Sequence, residues 1–86
     1  MVSLDYAEDF WRGFCRLPTE IQERARTKLK LFVANRYHPS LRLKRVRGTP
    51  GLWEISVNMQ YRIIFEFVTE DHALLLRIGT HKVIGP

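Results

Sequence analysis

"LWEISVNMQYRIIFEFVTEDHALLLRIGTH", residues 52–81, decides the fold. It holds three runs in which apolar and polar side chains alternate, the period of a strand buried on one face only. In the first run Trp53, Ile55 and Val57 point to the core, and Glu54, Ser56 and Asn58 point away. In the second, Tyr61, Ile63, Phe65 and Phe67 point in, leaving Arg62, Ile64 and Glu66 outside. In the third, Leu74, Leu76 and Ile78 point in, while Arg77, Gly79 and His81 point out.

Register follows from these faces, because directly opposed residues on paired strands share one. Core positions of the first two runs are all odd-numbered, so their loop has an odd length, most simply Asn58-Met59-Gln60. That sets Ser56 opposite Arg62. The next pair joins odd core positions to even ones, so its loop is even, most simply Thr69 to His72. Phe67 then faces Leu74, Phe65 faces Leu76 and Ile63 faces Ile78. Arg62 falls opposite Gly79, and His81 becomes its diagonal neighbour at about 7–8 Å between backbones. An arginine and a histidine leaving one face beside a glycine can share a phosphate: arginine fits it bidentately and histidine titrates near neutral pH. The plainer alternative is the wet side of an ordinary sheet.

Upstream lie a short candidate strand, "MVSLDY", and two helical patterns. Ala7, Phe10, Trp11, Phe14 and Cys15 follow helical spacing, with Cys15 expected as a packed apolar group. Residues 17–39 form the second helix, with Ile21, Ala25, Leu29, Phe32 and Val33 as its buried stripe. Thr19 and Gln22 have capping-box spacing, Pro39 marks the end, and Leu17-Pro18 is the joint. A basic stretch, "SLRLKRVRGTPG", closes on a Gly-Thr-Pro-Gly turn. The order β-α-α-β-β-β predicts an α+β domain, an N-terminal strand and two-helix hairpin packed on a small antiparallel sheet.

At 86 residues the chain, 1–86, is read as a single domain with a thin core. Hydrophobic residues at 45% and charged residues at 27% exclude a disordered chain. One cysteine permits no internal disulfide, no apolar run reaches membrane length, and the first residues lack a signal-peptide pattern; a cytoplasmic protein is expected. Net charge is +5, and it is segregated: Arg24 to Trp53 holds nine Lys or Arg and no acid, against five bases and nine acids elsewhere. Such a segment suits phosphate or an acidic protein partner; the alternative is a solvated helix face and a basic loop. The three histidines lack metal-ligand spacing, so no metal is expected. His38 reads as a capping or surface residue, His72 as a loop residue, and Trp53 as core.

"LPTEIQERA" (17–25), "HPSLRLKRVRG" (38–48), "LWEISV" (52–57), "YRIIF" (61–65) and "IGTHK" (78–82), in that order, resemble the RelE/ParE superfamily of bacterial toxins from toxin–antitoxin pairs. The resemblance implies a ribosome-dependent endoribonuclease that cleaves mRNA in the ribosomal A site and so inhibits translation. It needs neither metal nor cofactor, because the message's own 2′-hydroxyl attacks the adjacent phosphate. It implies that Arg62 stabilises charge on that phosphate and that His81 stands where the family places a catalytic arginine or histidine. Glu54 is the base, or only a surface acid. Lys44, Arg45, Arg47, Arg77 and Lys82 are the candidate RNA contacts, and a cognate antitoxin is the implied partner. Two alternatives remain: a ParE-like toxin that poisons DNA gyrase and cleaves no RNA, and a non-enzymatic nucleic-acid- or partner-binding module. Glu54 and Ser56, where some members carry lysines, lean toward the gyrase alternative; His81 leans toward the nuclease.

Overall fold

The computed structural model describes residues 1–80. Its elements are β1 (Ser3–Tyr6), α1 (Glu8–Cys15), α2 (Thr19–Ala34), a 3₁₀ turn (Pro39–Leu41), β2 (Lys44–Arg45), β3 (Trp53–Ser56), β4 (Tyr61–Thr69) and β5 (His72–Thr80). One five-stranded sheet runs β1-β5-β4-β3-β2. The α+β class and the helical hairpin are as expected. The sheet is mixed rather than antiparallel throughout, because β1 pairs parallel to β5. The first and last strands of the chain are therefore neighbours, and everything between them, the helical hairpin and β2 to β4, forms the crossover that a parallel pair needs.

The helices cover one face. Phe10 and Phe14 of α1 and Ala25, Leu29 and Phe32 of α2 meet Ile55, Val57, Ile63, Phe65, Ala73, Leu75 and Ile78 from the sheet. Phe32 sits edge-on to Phe65 at 4.9 Å between ring centres. Gly13 lets α1 lie close on β5: a Cβ there would stand 2.8 Å from the Ile78 carbonyl oxygen. Only Phe10 and Phe14 of the α1 stripe are buried; their sequence neighbours Trp11 and Cys15 fall to the side of that seam, so Cys15 is exposed instead of packed and Trp11 is 46% exposed. The capping box does not form. Pro18 takes the N-cap position without a side-chain bond, and Gln22 Nε2 donates instead to the Phe14 carbonyl at 2.8 Å, closing the joint between the helices. α2 ends at Ala34, where the Asn35 side chain accepts from Tyr37 N–H; Pro39 opens the 3₁₀ turn, which His38 caps by accepting from Ser40 N–H. The turn before β3 is as expected, with Gly48 at φ 79° and Gly51 at φ 85°, a region favourable only to glycine.

The first hairpin has the expected register, Ser56 opposite Arg62. The second keeps Ile63 opposite Ile78 and Arg62 opposite Gly79, but then slips. Phe65 faces Leu75, not Leu76, and Phe67 faces Ala73, not Leu74, so Ala73 and Leu75 are the core residues of β5. A second irregularity between Phe67 and Thr69 restores the count, and Thr69 pairs with His72 across a two-residue turn. His72 Nε2 lies 2.8 Å from Asp5 Oδ2, joining the hairpin end to β1. No helix among the described residues is long and apolar enough to cross a membrane.

Candidate functional site

The sheet's other face carries the candidate chemistry. Glu54 and Ser56 from β3, Arg62 and Ile64 from β4, and Arg77 and Gly79 from β5 occupy neighbouring positions there. This face is not simply wet at its centre. Glu54, Ser56 and Ile64 are buried, a correction to the exposure expected from alternation alone.

Arg62 is held from two sides. Its Nε lies 3.3 Å from Glu54 Oε2, and the two side chains are only 15% and 10% exposed. Its Nη1 donates to the Asn58 carbonyl and, at 3.1 Å, to the Tyr61 carbonyl. The Asn58 carbonyl belongs to the β3–β4 turn and the Tyr61 carbonyl to the first residue of β4; the turn is folded by the Asn58 side chain accepting from Gln60 N–H and Tyr61 N–H at 2.8 Å. Ser56 Oγ also donates to the Asn58 carbonyl at 2.8 Å. Among the described residues nothing claims Nη2, so the guanidinium is fixed in place with its outer nitrogen available. Opposite Arg62, Gly79 presents no side chain. A charged donor set in a partly dry site, already oriented, is what stabilisation of developing phosphate charge requires.

The basic segment divides between the two faces. Lys44 is the cross-strand partner of Glu54 and therefore shares the face of Arg62. Arg45 pairs with Trp53 and stacks on its ring at 5.3 Å, on the helix side of the sheet. Arg47 is exposed in the turn after β2, and Arg77 is exposed opposite Ile64. The structure thus brings Lys44, Glu54, Arg62 and Arg77 to one face and takes Arg45 away from it. His81 and Lys82 lie outside the described residues. The acceptors that fix Arg62 through Nη1 are main-chain carbonyls, which carry no signal in side-chain identity. Only the short turn between the strands could have hinted at them.

The family model for the ParE-like toxin domain matches residues 19–82. Among solved structures, YafQ from Escherichia coli BL21(DE3) superposes with a TM-score of 0.81 at 12% identity, covering 100% of both chains. The E. coli DinJ–YafQ complex matches with a TM-score of 0.78 at 14% identity, again over 100% of both chains. The intact E. coli RelBE toxin–antitoxin complex matches with a TM-score of 0.72 at 18% identity, covering 93% of this chain and 96% of that one. At these identities the likeness is one of fold. No curated protein sequence matches.

Proposed function

The chain belongs to the ParE-like toxin domain family, and we propose that it is the toxin of a toxin–antitoxin pair, cleaving mRNA in the ribosomal A site without a metal. The observation that carries this reading is Arg62, pinned by Glu54 and two main-chain carbonyls with Nη2 unclaimed among the described residues. In the proposed step the 2′-hydroxyl gives its proton to water as its oxygen attacks the neighbouring phosphorus, and the bond to the 5′-oxygen breaks as that oxygen takes a proton, leaving a 2′,3′-cyclic phosphate. Arg62 neutralises charge on the non-bridging oxygens. His81 is assigned the proton transfer to the leaving oxygen, by resemblance. Lys44 adds positive potential on the same face, and Arg77 extends it; Lys82 is assigned to RNA by resemblance. Glu54 is assigned first to holding Arg62. Its Oε2 contact to Nε explains an acid at a position where some relatives carry lysine, so the acid gives no support to the gyrase-directed alternative.

The partner is proposed to be an acidic, amphipathic antitoxin segment. DinJ–YafQ and RelBE are toxin–antitoxin complexes, and this chain has a matching surface. An apolar groove of about 490 Å³ runs between α1, α2 and β1, lined by Leu4, Tyr6, Trp11 and Phe14 with Arg26 and Lys30 at its edge. Apolar walls under basic edges complement an acidic helix.

The deciding experiment maps message ends by primer extension after induction, alongside purified ribosomes and a gyrase supercoiling assay. Metal-independent cleavage on ribosomes is expected, with gyrase unaffected. Gyrase inhibition with intact messages would overturn the nuclease reading.

A further inference from the structure

The slip in the β4–β5 register places side chains where regular alternation would not. Ile64 faces Arg77, but the next pair is Phe65 with Leu75, which leaves Leu76 as an extra residue on β5. Bulges re-aim side chains and recur beside functional sites. Here Leu76 and Arg77, neighbours in sequence, both line one depression on the face of Arg62, with Leu52, Ile64, Ala7 and Asp9 completing it. Its volume is about 420 Å³. Leu52, Ile64 and Leu76 make its apolar lining, while Asp9 and Arg77 are exposed at its rim. Ile64 is two residues from Arg62 along β4, about 6.8 Å on the same face.

We propose that this depression seats a nucleobase, that of the nucleotide adjoining the phosphate held by Arg62. The inference rests on the RNA reading of Arg62 and adds the substrate's base to it. A nucleotide joins an anionic phosphate to a flat ring with apolar faces, and this face offers the same two chemistries one strand repeat apart. Unpaired RNA bases are commonly held by apolar or guanidinium stacking and by hydrogen bonds to their edges. Leu52, Ile64 and Leu76 supply the apolar contact, the Arg77 guanidinium stacks over the ring's open side, and the Asp9 carboxylate accepts from a ring N–H. Asp9 is itself steadied by Arg12 Nη1 at 3.3 Å. An acidic peptide would satisfy Arg77 but leave the apolar floor without a flat partner.

The test uses the full chain with methyl-labelled Ile and Leu, and the four nucleoside monophosphates as probes beside ribose 5-phosphate. Shifts at the Ile64, Leu52 and Leu76 methyls with nucleotides, absent with ribose 5-phosphate, are expected. A short RNA made uncleavable by a 2′-deoxy substitution is then compared with its abasic counterpart. Loss of the base should weaken wild-type binding by roughly 5- to 150-fold, the range for one stacked base. In Leu76→Ala, and separately in Arg77→Ala, most of that penalty should disappear, since the two losses act on one contact. An abasic penalty equal in wild type and variants, or methyls that move only with an acidic peptide, overturns the proposal. If Leu76→Ala fails to fold, the wild-type methyl titration still decides. A chain that cleaves no message yet shows the base-dependent shifts would sink the nuclease reading and leave the base seat standing.

Discussion

Replacing Arg62 with alanine looks like a clean loss-of-function test, and the structure says that it is not one. The side chain is 15% exposed and its partner carboxylate 10% exposed, so Arg62→Ala strands Glu54 in a mostly dry site. Breaking a buried pair from one side costs about 3–5 kcal/mol, and the residual exposure argues for about 3 kcal/mol. A domain of 86 residues has about 4–13 kcal/mol in total. The variant should therefore lose much of its margin, with Tm lower by about 12–24 °C and the urea midpoint by about 1–3 M. Removing the stranded charge as well, in Glu54→Ala/Arg62→Ala, should recover about 1–2 kcal/mol, a coupling within the range for contacting residues. Arg62→Lys should stay folded, because an ammonium still neutralises Glu54, yet lose activity, because it lacks the planar fork that leaves Nη2 free. The assay is urea denaturation at neutral pH on five proteins, wild type, these three variants and Glu54→Ala alone, read beside growth arrest. An Arg62→Ala protein within 0.5 kcal/mol of wild type, or strictly additive single changes, would refute the reasoning.

Four further outcomes are expected. Lys44→Gln should weaken RNA association and flatten its salt dependence, whereas Arg45→Gln should cost more in stability through its Trp53 contact than in binding; filter binding from low to high salt separates them. His81→Gln should slow single-turnover cleavage by roughly 10²–10⁴-fold, with RNA binding little changed; normal cleavage would end its role as proton donor. Trp11→Glu should leave the domain folded, since Trp11 is 46% exposed, but weaken antitoxin binding at least tenfold in calorimetry by placing an acid against an acidic segment. Gly13→Ala should lower the unfolding midpoint, because the new Cβ meets the Ile78 carbonyl oxygen at 2.8 Å and backbone must move; an unchanged midpoint would mean that α1 shifts freely on β5.

The sequence by itself determined the helical hairpin, the three-strand meander, the first hairpin's register and the pairing of Arg62 with Gly79. These rest on local periodicity and on turn lengths, which a single chain states unambiguously. The sequence did not show β2, whose two residues, Lys44 and Arg45, are too few to state a period. It could not determine which of Leu74, Leu75 and Leu76 face the core. Three identical side chains in a row carry no phase, and only packing against α1 and α2 selected Ala73 and Leu75 and pushed Leu76 out as a bulge. The same limit hid the burial of Glu54 and the grip on Arg62. An acid and an arginine eight residues apart become an ion pair only when β3 folds back on β4, and the main-chain carbonyls that hold Nη1 come together as a site only at that turn. The basic run from Arg24 to Trp53 was visible as charge, but strand pairing alone sent Lys44 to the face of Arg62 and Arg45 to the opposite one.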